Sequence, residues 1–580
     1  MKLTDLSRRC RPVLWSALLL PGLLPPVAFA EDSGFQAAAP LALMADPGAI
    51  SAQAVTGETP DQQGQIARSI QQILSQEAPE ANSEKLASLQ ALENFYQARN
   101  YQPLWIGDQG FIYAAQGLLA EILASEKEGL DPYDYHVKSL QNPVHEQRLP
   151  ESIEKRAELD LLLSDAFFLL ATHYENGKIS PLTWEIEPVS KKSPRDLLQF
   201  LDYAVTHLNI RQNLQALLPD RPAYLALKQS LEQLRDYRLR VGEWTVLPLN
   251  DFYTPDEALP QSLALLRQRL FESGDLETLP DDPAAPFDET LEAGVKRFQY
   301  RHGLASDGIV GQQTLAALNI SISGRIEQLL VNMERWRWLP DDLGSRRVEV
   351  NIAGFELTLF DQDQPVLKLP VIVGRDERRT PVFSDAIRYI VFNPTWTVPT
   401  NLLIEDKLPI IRKDPGYLSR LGFTVYRGWD RNREAVDPAS IDWFQLGRDN
   451  LNISLVQGPG PQNALGQVKF VFPNKYDIYL HDTPSRELFR ESSRAFSSGC
   501  IRVKEPLKLA NTLLALEDRW NEASTDWVIK QKKTRTLTLK TPVPVHLLYW
   551  TATVDEEGVV RFPPDIYARD IAIGDALLRG

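Results

Sequence analysis

The chain has 580 residues, with 62 Lys and Arg against 77 Asp and Glu, a net charge of −15, and 43% hydrophobic residues. That length exceeds what one core needs and the balance is that of globular protein, so several domains are expected. The negative excess disfavours nucleic acid or an anionic membrane surface as partner.

The N-terminus reads as a targeting segment. Lys2, Arg8, Arg9 and Arg11 form a basic region, Val13 to Val27 is apolar, and Ala28-Phe29-Ala30 is a small-residue cleavage site. Ser7-Arg8-Arg9 is followed by Cys10-Arg11-Pro12 rather than apolar residues, which favours Sec export over a twin-arginine route. A signal peptide over residues 1–30, cleaved after Ala30, removes four cations and Asp5 and takes the net charge from −15 to −18. It also removes Cys10, leaving Cys500 as the single cysteine of the exported chain. One thiol makes no internal disulfide, so chemistry is the economical reason to keep it in an oxidising compartment. No other run reaches the roughly 18 apolar residues of a membrane span, and the mature chain is expected to have none. Residues 31–60, rich in Ala, Pro, Gly and Gln without a sustained period, read as a flexible leader.

Residues 61–249 read as a helical domain. Ile66, Ile70 and Ile73 recur at helical spacing, as do Leu86, Leu89, Leu92 and Phe95, and Leu159 to His173 forms a further apolar run. Ser152-x-x-Lys155 matches the first element of a penicillin-type serine site, but no Ser-Asp-Asn or Lys-Thr-Gly accompanies it, and it reads as a charged helix start. Residues 250–320 form a compact helical unit. Leu291, Val295 and Phe298 line one face, Lys296 and Arg297 the outer one, and Gly303 suits a helix C-terminus. The string from Val295 to Asn319, VKRFQYRHGLASDGIVGQQTLAALN, resembles the type-1 peptidoglycan-binding module, with Arg297 and Arg301 expected to be exposed to the wall. Its plain alternative is a helical spacer. Residues 321–345 carry a linking helix ending in Glu334-Arg335-Trp336-Arg337-Trp338, expected to pack between domains.

From Arg346 the period falls to two: Val348, Val350 and Ile352, then Phe355, Leu357 and Leu359. Residues 346–580 are expected to form a β-rich domain of short antiparallel strands. Trp396 leads into an irregular insertion, residues 397–450, that reads as a cap or as a surface insertion with its own small core.

The chemistry concentrates between Tyr476 and Val503. A strand ends at His481, a polar loop follows, and Ser497-Ser498-Gly499-Cys500-Ile501-Arg502 closes the unit. A thiol is mostly protonated at neutral pH unless a base takes its proton, and an imidazole suits that task. Gly499 leaves room for a carbonyl and for backbone N–H groups beside the sulfur. Singly, a Cys or a His is more often structural; the pairing at this spacing is what carries the reading. The seven histidines fall in no metal-binding spacing, so no metal or cofactor is expected.

His481, fifteen residues of loop, then Ser-Ser-Gly-Cys-Ile-Arg resembles the signature of the YkuD-type L,D-transpeptidase catalytic domain, with Ser498 where the family often has a second histidine. The helical region, the binding module and the cap resemble the large, YcbB-like group. The resemblance implies a multidomain α+β protein: helical scaffold, peptidoglycan-binding module, and a sandwich catalytic domain with an inserted cap. It implies a periplasmic enzyme joining tetrapeptide stems, as donor and acceptor, into 3–3 cross-links through a cysteine thioester, and acylation by carbapenems. Cys500 is then the nucleophile and His481 the base and acid; Gly499, Ser498 and Ser497 form or support the oxyanion site; Arg502 and Trp396 meet substrate. A stem-peptide hydrolase using the same residues, or a non-catalytic wall-binding scaffold, are the alternatives. Oligomeric state is not legible.

Overall fold

The computed structural model describes residues 61–184, 195–249, 253, 259–430, 432–515 and 520–579. The signal-peptide and leader readings, residues 1–60, lie outside these.

The N-terminal helical region is built around the helix Ile153–Asn176, apolar on nearly every side and buried accordingly. Its two buried carboxylates hold the connections that pack on it. Asp160 accepts from the backbone N–H groups of Leu104, Trp105 and Ile106, and Asp165 from those of Ala87 and Ser88. Loop amides that no helix or strand satisfies thereby find partners away from water. Ser152 caps this helix by accepting from Lys155 N–H, while the Lys155 ammonium reaches Glu158 at 2.8 Å. The Ser-x-x-Lys pair is a helix start.

Helices Pro260–Glu272, Glu289–Arg301 and Gln312–Leu318 enclose a separate small core of Leu266, Leu270, Leu291, Val295 and Phe298. Here one expectation holds only in part. Arg297 is exposed as expected but donates twice to the Asp275 carbonyl, while Arg301 is half-buried and pairs with the Asp275 carboxylate at 2.8 Å. The turn after the first helix folds over what a helical wheel shows as the outer face.

The linking helix Ile322–Arg337 is a joint. Glu334, fully buried, accepts from Ile179 N–H at 2.7 Å and pairs with Arg337 at 2.7 Å. Arg337 also donates to the Glu128 carbonyl in the helical region. On the other side Arg335 pairs with Asp570 at 2.7 Å, and Trp336 stacks on Trp550 with ring centres 4.6 Å apart. Alternating Arg and Trp therefore face two neighbours at once.

The main sheet of the C-terminal region contains nine strands among the described residues: β1 Arg347–Asn351, β2 Glu356–Asp361, β3 Gln364–Gly374, β4 Phe383–Phe392, β5 Val468–Val471, β6 Leu480–His481, β7 Ala495–Ser497, β8 Ile501–Val503 and β9 Arg535–Leu548. Their order is β7-β3-β8-β6-β5-β4-β9-β1-β2, and β2 also pairs with β3, so eight strands close into a ring. The sheet is mixed rather than antiparallel throughout: β6–β8, β7–β3 and β9–β1 run parallel. Alternation of apolar residues reports which face is buried, not strand direction, and the long loop after His481 lets the chain return along β6 in the same sense. Val348, Val350, Leu357, Phe470, Leu480, Ile501 and Val545 fill the interior. The insertion after β4 builds its own four-stranded sheet from Trp396–Thr397, Phe423–Arg427, Glu434–Val436 and Ile453–Gln457. Its small core contains Leu403, Leu408, Val425 and Leu455. Among the described residues no helix is long and apolar enough to cross a membrane.

Removing one partner of a buried ion pair strands the other. Glu334→Ala should destabilise the chain by about 3–5 kcal/mol, measured by denaturant unfolding. Arg337→Met with Glu334→Leu should recover much of that loss; no recovery would mean the pair is needed for more than charge balance.

Candidate active site

Strand β6 supplies only two residues, and their alternation decides the site. Leu480 points into the core and pairs in register with Ile501 of β8, also in the core. The intervening residues face the other way: Tyr479 and His481 from the β6 side, Cys500 and Arg502 from the β8 side. Lys469 of β5, the register partner of His481, joins the same face. Among the described residues Cys500 is the free cysteine.

His481 is 5% exposed. Its Nδ1 donates to the Asp482 carbonyl, which fixes the tautomer and leaves Nε2 as an acceptor. Burial, and then the charges of Arg502 and Lys469, depress its pKa to about 3, against the Asp482 hydrogen bond. Cys500 is half-buried, and its thiol faces the Asp477 carbonyl at 3.7 Å. Burial raises the thiol pKa, opposed by the backbone N–H and hydroxyl of Tyr479 and by the Lys469 charge. The resting pair is thus thiol and imidazole, both neutral.

The turn that carries the sulfur is held from below. Gly499 has φ +111°, where a side chain is strained, and an added Cβ would press on Ile478 at 3.3 Å. Its carbonyl accepts from Thr380 Oγ1 at 2.7 Å, and its N–H donates to Ser497 Oγ at 3.1 Å. Thr380 Oγ1 accepts in turn from Gly374 N–H at 2.9 Å, while Tyr567 Oη accepts from Thr380 N–H at 3.2 Å and donates to the Gly374 carbonyl. Ser497 is buried in this network, and Ser498 is exposed. Ser498 Oγ accepts from Arg378 Nη1 at 3.0 Å.

Arg378 also grips the cap. It binds both oxygens of Asp406, at 2.7 and 2.9 Å, and Glu405 at 2.7 Å, all on the π-helical turn Leu403–Lys407. One guanidinium therefore joins the insertion and the Cys500 turn in a two-pronged geometry that Lys cannot reproduce. Tyr479 makes a second bridge. It packs against the cap core, its hydroxyl faces both the Cys500 sulfur and the Trp396 indole, and the Lys469 ammonium lies 3.5 Å from its ring centre.

Of the residues singled out in the sequence, His481, Ser497, Ser498, Gly499, Cys500 and Arg502 come together at one end of β6 and β8. Trp396 arrives from the cap, 8% exposed and reaching the site through Tyr479. Sequence reading missed Arg378, Thr380, Lys469, Asp482 and Tyr567. Lys469, a lone cation between core-facing Val468 and Phe470, left a signal; the others are brought in by distant chain. His546 stands apart, with Nδ1 at Ser384 Oγ (2.7 Å) and Nε2 donating to the Leu343 carbonyl (2.8 Å). No group of acids, histidines and thiols able to hold a metal occurs among the described residues.

Comparison with known proteins places these features. Residues 345–545 match the family described as "L,D-transpeptidase catalytic domain", residues 261–318 that described as "Putative peptidoglycan binding domain", and residues 90–231 that described as "Scaffold domain". A Haemophilus influenzae protein named "Putative L,D-transpeptidase" is 36% identical over 272 residues, 46% of this chain and 54% of the relative. The chain thus spans about half the length of that curated relative. Solved L,D-transpeptidases from Stackebrandtia nassauensis and Xylanimonas cellulosilytica align at 11% and 16% identity. They cover 49% and 52% of this chain and 88% and 98% of their own, with TM-scores of 0.19 and 0.17. The chain carries a YkuD-family L,D-transpeptidase catalytic domain together with a peptidoglycan-binding domain and a helical scaffold domain.

Proposed function

We propose that the chain is a periplasmic peptidoglycan L,D-transpeptidase that forms 3–3 cross-links through a thioester on Cys500, with His481 as base and acid. The observation that carries this reading is the free thiol on one sheet face with a neutral, tautomer-fixed imidazole.

In the first step Nε2 of His481 takes the thiol proton as Sγ bonds to the carbonyl carbon of the third residue of a tetrapeptide stem. The carbonyl electron pair moves to oxygen. The Cys500 backbone N–H is the donor assigned to that oxyanion, since the Gly499 N–H is already held by Ser497. Collapse restores the carbonyl and breaks the C–N bond, and the imidazolium gives its proton to the departing D-alanine amine. In the second step the side-chain amine of another stem attacks the thioester and loses a proton to His481, which returns it to the leaving sulfur. One amide is exchanged for another with no redox change. The cations Lys469 and Arg502 on this face suit the carboxylates of the stems. The cap, tied down by Arg378, supports amine over water as acceptor by limiting solvent at the thioester.

Cys500→Ala should abolish acyl-enzyme formation and consumption of tetrapeptide stems, and His481→Gln should lower turnover by roughly 10²–10⁴-fold, both followed by mass spectrometry. A carbapenem should add its mass once per chain, on Cys500; full turnover by Cys500→Ala, or preference for pentapeptide stems, would overturn the assignment.

The pH dependence follows from two neutral partners. A base with its pKa depressed to about 3 stays competent far below neutrality, so turnover should be flat between pH 7.5 and 5.5. The rate of Cys500 alkylation by iodoacetamide should still be climbing above the ordinary thiol pKa, because burial raises this one. An acid limb centred near 6.5 would show that His481 is solvated in the working enzyme.

Arg378 is a positioning residue, acting through Ser498 and the cap. Arg378→Ala should cut kcat roughly 10–100-fold, as small misplacements at reacting centres do, with little change in KM for a short stem. Arg378→Lys should restore only part of it; complete rescue by Lys would reduce the role to charge.

A further inference from the structure

A groove of about 1460 Å³ lies on the opposite side of the ring from the thiol. Its floor is the outer face of β1, β2 and β3, where Glu349, Thr358 and Lys368 stand in one row across three register-paired strands. The start of the scaffold helix Pro222–Arg240 forms one wall, and the segment from Gly303 to Ala305 of the binding module, with Tyr300, forms another. The turn after Thr553 forms a third. Three domains therefore shape a single cleft.

The module is fixed at this cleft. Phe562 N–H donates to the Arg301 carbonyl at 2.7 Å, and Gly303, at φ +66°, packs so closely that a Cβ would meet Pro564 at 3.1 Å. Arg561 lies 4.3 Å from the ring centre of Tyr300, whose side chain is 49% exposed beside the groove. An aromatic face held in place beside a polar floor suits the apolar faces and hydroxyls of sugar rings.

Charge separates the classes of ligand. Lys368 is paired with Glu556 at 2.7 Å, and Arg347 with Glu349 and Asp363 at 2.6 Å each. Arg494 donates to the carbonyls of Val371 and Phe355, and Arg221 to that of Asp341. Cations already held by partners give little to an incoming carboxylate, and further acids, Glu356, Asp555 and Glu557, line the same cleft. An anionic stem peptide is disfavoured here, in contrast to the thiol face with Lys469 and Arg502. The volume exceeds that of an ordinary small-molecule site, typically about 300–1,000 Å³, and suits several linked rings.

We infer that this three-domain groove binds the uncharged N-acetylated glycan backbone of peptidoglycan, anchoring a sugar chain on one side of the ring while peptide stems react on the other. This rests on the peptidoglycan reading above for the identity of the polymer, but not on the transfer chemistry.

The test uses the full chain and uncharged, peptide-free chains of β-1,4-linked N-acetylglucosamine, with free tetrapeptide as a second probe, both by calorimetry. Peptide-free chains should bind saturably. Thr358→Arg, which fills the middle of the floor, and Tyr300→Ala should each weaken that binding at least tenfold, with melting curves establishing that both variants are folded. Cys500→Ala should bind the chains as the unaltered protein does. Unchanged affinity in folded Thr358→Arg, or loss of free-tetrapeptide binding in place of glycan binding, would overturn the groove. Glycan binding by a chain that performs no transfer would instead overturn the transfer reaction and leave the groove standing.

Discussion

Strand β3 is bonded to β2 over its first half and to β8 and β7 over its second. That division closes eight strands into a ring and leaves no free edge on β2. It also fixes where the strand must end. Gly374 lies directly under the Cys500 turn, so close to the loop after Gly374 that an added Cβ would fall 2.1 Å from the Arg378 carbonyl. From there Thr380 reaches the Gly499 carbonyl and Arg378 reaches Ser498 and the cap. The position of the sulfur is thus a consequence of how the ring closes.

Electrostatics divide the ring into unlike sides. Around the thiol, burial and then the charges of half-buried Arg502 and Lys469 depress the neighbouring imidazole, while burial raises the thiol pKa against Tyr479 and Lys469, so the resting proton stays on sulfur. On the other side Arg347 and Lys368 are matched by carboxylates within hydrogen-bond distance. Under the proposed function, a polymer carrying both sugars and stems could engage both sides at once.

The joint between domains relies on the same balance. Glu334 and Arg337 are both fully buried, and each has partners beyond the other: Ile179 N–H for the first, the Glu128 carbonyl for the second. Burial alone would lower the Arg337 pKa, but Tyr224 and Glu334 more than offset it and keep the guanidinium charged. A pair satisfied in this way specifies one docking angle between scaffold and catalytic region, because any other would leave a charge stranded in low dielectric.

Local sequence determined the elements and the candidate histidine–cysteine pair. Period-two alternation at Val348, Val350 and Ile352 marks a strand whatever it pairs with, and the spacing of His481 and Cys500 around one loop is a property of the chain itself. Ser152 and Gly303 were legible for the same reason, since capping acts within a few residues. What tertiary structure alone decided is everything that depends on which distant segments meet. Strand direction in β6–β8, the tethering of Arg297 and Arg301 to Asp275, and the enlistment of Arg378, Thr380 and Tyr567 all arise from contacts across tens to hundreds of residues. Side-chain periodicity records which face of an element is apolar; it carries no information about which other element will cover the polar one.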